Sequence, residues 1–66
     1  MANLTVLNPL KVNSAQNLID DQPTLRKFLR DTQYGNVWEI VSEHYELAVL
    51  EIDYYFKRFR IQYKIE

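Results

Sequence analysis

The chain has no cysteine and only one histidine, His44. The absence of thiols excludes disulfides and cysteine-ligated metals, and a single imidazole cannot form a multi-histidine site. There is also only one glycine, Gly35, so no glycine-rich phosphate-binding loop is present. We therefore predict no catalytic residues, no metal and no cofactor, and we interpret the protein as not an enzyme.

Long hydrophobic runs and an excess of one charge are also lacking. No apolar run approaches the roughly 20 residues that cross a bilayer, and the first residues lack the basic-then-apolar pattern of a signal peptide. We therefore expect a cytoplasmic protein without a membrane span. The formal net charge of -1 argues against a generally basic nucleic-acid-binding protein.

The chain is instead rich in apolar residues (47%) and aromatic residues (14%), which is typical of a folded protein. Its 66 residues predict a single small domain. A domain of this size buries only about 60% of the surface that its unfolded chain exposes. Without disulfides or a metal, such a domain is often stabilised by a partner subunit.

The C-terminal half predicts one long helix, because residues 36–66 contain neither glycine nor proline. Within this segment, apolar side chains recur at alternating steps of three and four, the spacing along one face of an α-helix. The spacing therefore predicts an amphipathic helix over 36–66, with an uncertain C-terminal end. This apolar stripe consists of Trp38, Val41, Tyr45, Ala48, Ile52, Tyr55, Phe59 and Tyr63.

The N-terminal half predicts smaller elements. Residues 1–13 form an extended arm, since Pro9 holds its preceding residue away from helical angles. Residues 14–33 contain two short helices, the second beginning at Pro23, where the missing N–H has no cost. Gly35 marks a turn before the long helix. The predicted fold class is therefore mostly α.

The end of the chain leaves an alternative fold open. Apolar residues alternate with polar ones over about 59–65, which is the period of a β-strand. Such a strand would pair with the arm at residues 3–7, and the fold class would then be α+β. The alternative adds this strand, with the arm as its partner, and leaves the rest of the helical prediction unchanged.

The long helix also predicts a protein partner. Over residues 45–56 it is apolar nearly all round, and two short helices can cover only part of that surface. We therefore expect a non-catalytic interaction module, an adaptor, assembly factor or regulator, that associates with itself. The alternative is a monomer whose N-terminal half wraps the whole helix. The predicted interface residues are Trp38, Val41, Tyr45, Ile52, Tyr55, Phe56 and Phe59.

The charges of the segment are sorted along it. The acidic residues come first and end with Asp53, and the basic residues begin at Lys57, with no further acidic residue until Glu66. Because an antiparallel pair of helices would place the acidic half of one copy against the basic half of the other, we expect an antiparallel homodimer.

A nucleic-acid-binding regulator is the second function that the sequence suggests. The C-terminal segment alternates cations with aromatic residues, a combination that can neutralise phosphates and stack on unpaired bases. The predicted contacts are Lys57, Arg58, Arg60 and Lys64, with Arg26 and Arg30 extending the basic face if the fold brings them alongside. The simpler interpretation is that these aromatics belong to the core and the cations reach out to solvent.

Overall fold

The computed structural model describes residues 2–66 and shows an α+β fold. Its elements follow one another as β1 (Asn3–Val6), α1 (Val12–Asp21), α2 (Pro23–Phe28), β2 (Leu29–Asp31), β3 (Val37–Ile40), α3 (Tyr45–Arg58) and β4 (Tyr63–Ile65). A short 3-10 helix, Pro9–Lys11, precedes α1. Within the described residues, no helix is long and apolar enough to cross a membrane.

The four strands form one sheet in the order β2-β3-β1-β4, with every neighbouring pair antiparallel. Two crossovers connect the strands: α1 and α2 lead from β1 to β2, and α3 leads from β3 to β4. This connectivity is the split βαβ arrangement, also called ferredoxin-like. In this arrangement β1 lies inside the sheet and β4 lies at one edge.

One face of the sheet is apolar and carries the helices. Leu4 and Val6 of β1 point to this face, since successive side chains of a strand alternate. The indole Nε1 of Trp38 donates to Gln16 Oε1 of α1 at 3.2 Å, and the ring of Phe56 in α3 packs edge-on against Tyr63 of β4. The helices α1 and α3 therefore lie on the same face of the sheet. The buried core consists of Leu4, Val6, Ala15, Leu18, Ile19, Leu25, Leu29, Trp38, Ile40, Ala48, Ile52, Phe56 and Ile61.

The prediction of one long helix over 36–66 is wrong. Residues 37–40 form β3 at the centre of the sheet, where Leu4 is opposite Trp38. Trp38 is buried with Ile40 because side chains two apart share a face of a strand. The helical spacing from Trp38 to Tyr45 is therefore coincidental.

The helix α3 ends well before the end of the chain, in a Schellman motif. The Arg60 N–H donates to the Lys57 carbonyl at 3.1 Å, and the Ile61 N–H donates to the Phe56 carbonyl at 2.9 Å. Arg60 has a φ of 57°, in the left-handed region that this motif requires. The sequence does not reveal the C-terminal end of α3, because an arginine occupies the position where glycine is usual.

The mostly α fold class is also wrong for the first half. α1 begins at Val12, inside the predicted arm, and the predicted second helix stops at Phe28 and continues as β2. The alternative strand over about 59–65 is shorter in the structure, Tyr63–Ile65, and pairs with β1. Neither interpretation included the hairpin of β2 and β3.

The predicted turn at Gly35 connects two strands rather than two helices. Gly35 has a φ of 76°, and Gln33 has a φ of 71°. The Gln33 N–H donates to Asp31 Oδ1 at 2.9 Å, and Thr32 Oγ1 donates to the Val37 carbonyl at 2.7 Å. Two left-handed residues and two side-chain hydrogen bonds thus close the β2–β3 hairpin.

Candidate protein interface on the last helix

The two sides of α3 have opposite environments. Ala48, Ile52 and Phe56 are each 0% exposed and pack into the core. On the opposite side, three large apolar or aromatic side chains face solvent at steps of three and four: Leu47 (48% exposed), Leu50 (68%) and Tyr54 (56%). We call these three residues and the surface around them the outward face of α3. It forms a solvent-facing apolar stripe along most of the helix.

Charged residues lie at both ends of the outward face. Glu46 occupies the first turn of α3, and Lys57 and Arg58 occupy the last turn. Acid at the N-terminus and base at the C-terminus also complement the helix dipole. The Arg58 guanidinium lies 5.3 Å from the centroid of the Tyr54 ring, in cation–π geometry. The face is thus apolar in the middle, acidic at its start and basic at its end.

The residues predicted from the sequence as an interface do not form one surface. Trp38, Ile52 and Phe56 are core residues, exposed by 1%, 0% and 0%, so they cannot contact another molecule in this fold. Tyr55 is partly buried against the same core. The physical reason is that β3 and β4 complete a sheet under the helix and cover the side that the sequence analysis assigned to a partner.

The remaining predicted interface residues are exposed but separated. Val41 follows β3 and is 42% exposed. Tyr45 (46%) lines a cleft with Ile65 of β4, whereas Phe59 (51%) lines a cleft with residues of α1. The fold therefore distributes these three side chains over different parts of the molecule.

Leu47, Leu50 and Tyr54 were not among the predicted interface residues, although their steps of three and four are visible in the sequence. The sequence shows two apolar stripes on this segment, one beginning at Trp38 and one formed by Leu47, Leu50 and Tyr54. Both stripes satisfy the helical period, and only the sheet decides which of them is buried.

Most of the basic residues predicted to contact nucleic acid make contacts within the chain. Lys57 pairs with Asp53 at 3.1 Å on α3, whereas Lys64 lies on the open face of the sheet and pairs with Glu66 at 2.6 Å. Arg58 covers Tyr54, and Arg60 occupies the turn after the helix. Three of these four cations thus contact groups within the chain, and carboxylates pair with two of them.

The open face of the sheet is polar. It carries Asn3 and Thr5 of β1 opposite Glu39 and Val37 of β3, and Arg30 of β2 forms an ion pair with Glu39. RNA-recognition domains with a four-stranded sheet use aromatic side chains on this face to stack bases. None of the residues described on this open face is aromatic.

One hydrogen bond joins α3 to β4. The Tyr63 hydroxyl donates to Asp53 Oδ1 at 2.5 Å. Burial and this hydrogen bond raise the pKa of Tyr63, and the hydrogen bonds from Tyr63 and Lys57 hold the pKa of Asp53 below its usual value. The contact fixes the edge strand against the helix.

Within residues 2–66, no three His, Asp or Glu side chains are close enough together to hold a metal ion. The His44 backbone N–H donates to Ser42 Oγ at 2.9 Å, in the loop that leads into α3.

Comparison of the chain with protein-family models, curated proteins and solved structures gives no match.

Proposed function

We propose that the protein is a non-catalytic interaction module, a small cytoplasmic adaptor, assembly factor or regulator, that self-associates through the outward face of α3. The observation that carries the proposal is the exposure of Leu47, Leu50 and Tyr54 on one helix face. Isolated apolar side chains on a surface need no explanation, but a contiguous stripe is typical of an interaction site. Its position opposite the core leaves it accessible in the folded chain.

The partner in this proposal is a second copy in antiparallel orientation. With a two-fold axis near Glu51, Leu50 of one copy packs beside Tyr54 of the other. Glu46 then lies level with Lys57 of the second copy. A parallel pair would place like charges at both ends of the face. Charge pairs at the rim add little affinity but select the orientation.

The contact is small. One exposed helix face buries less than the roughly 1,200 Å² of total surface that is typical of a stable complex. We therefore expect a reversible dimer that responds to protein concentration, rather than a permanent one. The core is complete within one chain, so the monomer is expected to fold on its own.

Light scattering over a concentration series up to about 1 mM tests self-association. The variant Leu50→Glu places a charge in the centre of the face and should remain monomeric throughout. Leu10→Glu is the matched control, because Leu10 is 95% exposed in the 3-10 helix and lies outside α3. A wild-type protein that stays monomeric, or an equal loss of association in both variants, would contradict the proposal.

Charge exchange tests the orientation. Glu46→Lys alone and Lys57→Glu alone should each weaken the antiparallel dimer, since like charges then face each other. An equimolar mixture of the two variants should recover association, because each copy supplies the charge that the other has lost. Circular dichroism of both variants checks that α3 is intact. Undiminished self-association of each single variant would exclude the antiparallel arrangement.

Lys57 and Lys64 pair with carboxylates of the chain and Arg58 covers Tyr54, which gives no support to nucleic-acid binding as a second candidate. Titration with labelled single- and double-stranded oligonucleotides at two salt concentrations tests it. Tight binding that weakens steeply with salt would replace the present proposal.

A further inference from the structure

The strand β4 lies at the edge of the sheet, and its backbone pairing is one-sided. Asn3 and Glu66 exchange two backbone hydrogen bonds, at 2.7 and 2.9 Å, and the Leu7 N–H donates to the Gln62 carbonyl at 2.8 Å. In an antiparallel ladder, such hydrogen-bonded positions alternate with positions whose N–H and C=O groups point the other way. The backbone groups of Tyr63 and Ile65 therefore point away from β1. Within residues 2–66, β4 pairs with β1 alone, so these groups face the outer edge.

Two clefts lie between this edge and α3, and both include Ile65. The first, of about 470 Å³, is mostly apolar and is lined by Tyr45, Val49, Leu50 and Ile65, together with Glu46. The second, of about 550 Å³, reaches Tyr63 and is bordered by Asp53 and Lys57 of α3. Because side chains opposite Tyr63 and Ile65 in an added strand would point to the helix side of the sheet, they would enter these two clefts.

We propose that the β4 edge binds an extended segment of a partner protein as a fifth, antiparallel strand. The preferred segment has the pattern apolar–acidic–apolar. Its two apolar residues lie opposite Tyr63 and Ile65, exchange backbone hydrogen bonds with them and fill the clefts. Its acidic residue lies opposite Lys64 on the open face of the sheet. This is recognition by strand addition, in which the backbone supplies affinity and alternate side chains supply specificity.

The charge of Lys64 selects the acidic residue. A lysine in the middle of an edge strand disfavours indiscriminate pairing with other strands. An acidic side chain directly opposite removes this penalty, since opposite charges at facing positions of a sheet attract. Lys64 and Glu66 now pair with each other, but their side chains are 51% and 71% exposed, so Lys64 is free to turn to a second carboxylate.

The clefts share Glu46, Leu50 and Lys57 with the outward face of α3 and its charged ends, whereas Lys64 belongs to the strand-addition site alone. Lys64 lies on the other face of the sheet from α3. Strand addition therefore does not depend on the proposed dimer, and the variant Lys64→Glu tests it without altering the dimer contact.

Fluorescence anisotropy with a labelled, end-capped peptide tests the proposal on the full chain. The probe has a central Val-Glu-Val between threonines, and the matched control has Val-Lys-Val. We expect saturable binding of the first and about fivefold weaker binding of the second, from the known size of cross-strand charge effects. The variant Lys64→Glu should reverse this preference while its self-association in light scattering stays that of the wild type.

Backbone methylation distinguishes strand addition from simple adsorption to an apolar cleft. Methylating the amide nitrogens of both valines removes the donors that face Tyr63 and Ile65, and it should abolish binding. Methylating the glutamate nitrogen, which points away from β4, should leave binding nearly unchanged. Failure of the Val-Glu-Val probe to bind, binding that survives methylation of both valines, or equal binding of the two probes would overturn the proposal.

Discussion

The orientation of α3 is tested by two substitutions on opposite sides of the helix. Ile52 is 0% exposed, and Ile52→Val removes one methylene from a packed core. Such a change costs about 0.5–1.5 kcal/mol of unfolding free energy. Leu50 is 68% exposed, so Leu50→Ala in the monomer should change the unfolding free energy by no more than about 0.5 kcal/mol. The better helix propensity of alanine partly offsets the lost contacts.

These differences are measurable in a domain of this size. With a urea m-value of about 1 kcal/mol per molar, Ile52→Val should lower the midpoint of unfolding by roughly 0.5–1.5 M. Leu50→Ala should lower it by less than about 0.5 M. Circular dichroism at low micromolar concentration is the appropriate assay, since association through the outward face would otherwise add to the stability of the wild type.

The result that would refute this reasoning is the reverse order. A large loss for Leu50→Ala in dilute solution, with little change for Ile52→Val, would mean that α3 presents its other side to the sheet. Ile52→Ala is less useful, because its expected cost of about 2–5 kcal/mol is comparable to the whole stability of so small a domain.

Further predictions concern left-handed residues, pH and fluorescence. Arg60→Gly should stabilise the protein by about 1 kcal/mol, because glycine adopts the left-handed φ of the Schellman position without strain. Gly35→Ala should destabilise the protein by about 1 kcal/mol because of its left-handed φ, although the new Cβ would meet open space. Urea unfolding measures both changes. The pKa of Asp53 is lowered, so its contribution to stability is present above its usual pKa of 3.8 and is lost as pH falls through the lower folded-state pKa. The pKa of Tyr63 is raised, so its contribution is present below its usual pKa of 10.0 and is lost as pH rises above it. Tyr63→Phe should flatten both limbs of the stability profile measured by urea unfolding across pH. The emission maximum of Trp38, the only tryptophan, should be blue-shifted and independent of protein concentration; a red shift on dilution would place it at an intermolecular contact instead.

Local signals in the sequence predicted some elements well. Pro23 begins α2, as its fixed φ and missing N–H predict. The alternation of Leu4 and Val6 was visible in the predicted arm, and it is the pattern of β1. Gly35 closes a turn, as expected, because its left-handed φ suits few other residues. These features depend on residues close together in the chain.

The central strand could not be predicted in the same way. β3 has only four residues, and Trp38 matches the helical steps to Val41 and Tyr45 as well as it matches a strand. What decides between them is the pairing of Trp38 with Leu4, a contact between residues far apart in the chain. A short apolar run does not distinguish a buried strand from part of a helix, and only its partners do. The stop of α3 was hidden for a local reason, the arginine in the Schellman motif.

The sheet also explains why the candidate interface lies where it does. The sequence carries more apolar surface over residues 45–56 than two short helices can cover. The missing cover comes from β1, β3 and β4, which bury the side of α3 that carries Ile52 and Phe56. A single sheet can cover only one side of a helix, however, so Leu47, Leu50 and Tyr54 remain exposed on the opposite side. The proposed contact therefore involves residues whose side chains contribute little to the core of the monomer. Loss of association without loss of folding in Leu50→Glu is the direct consequence.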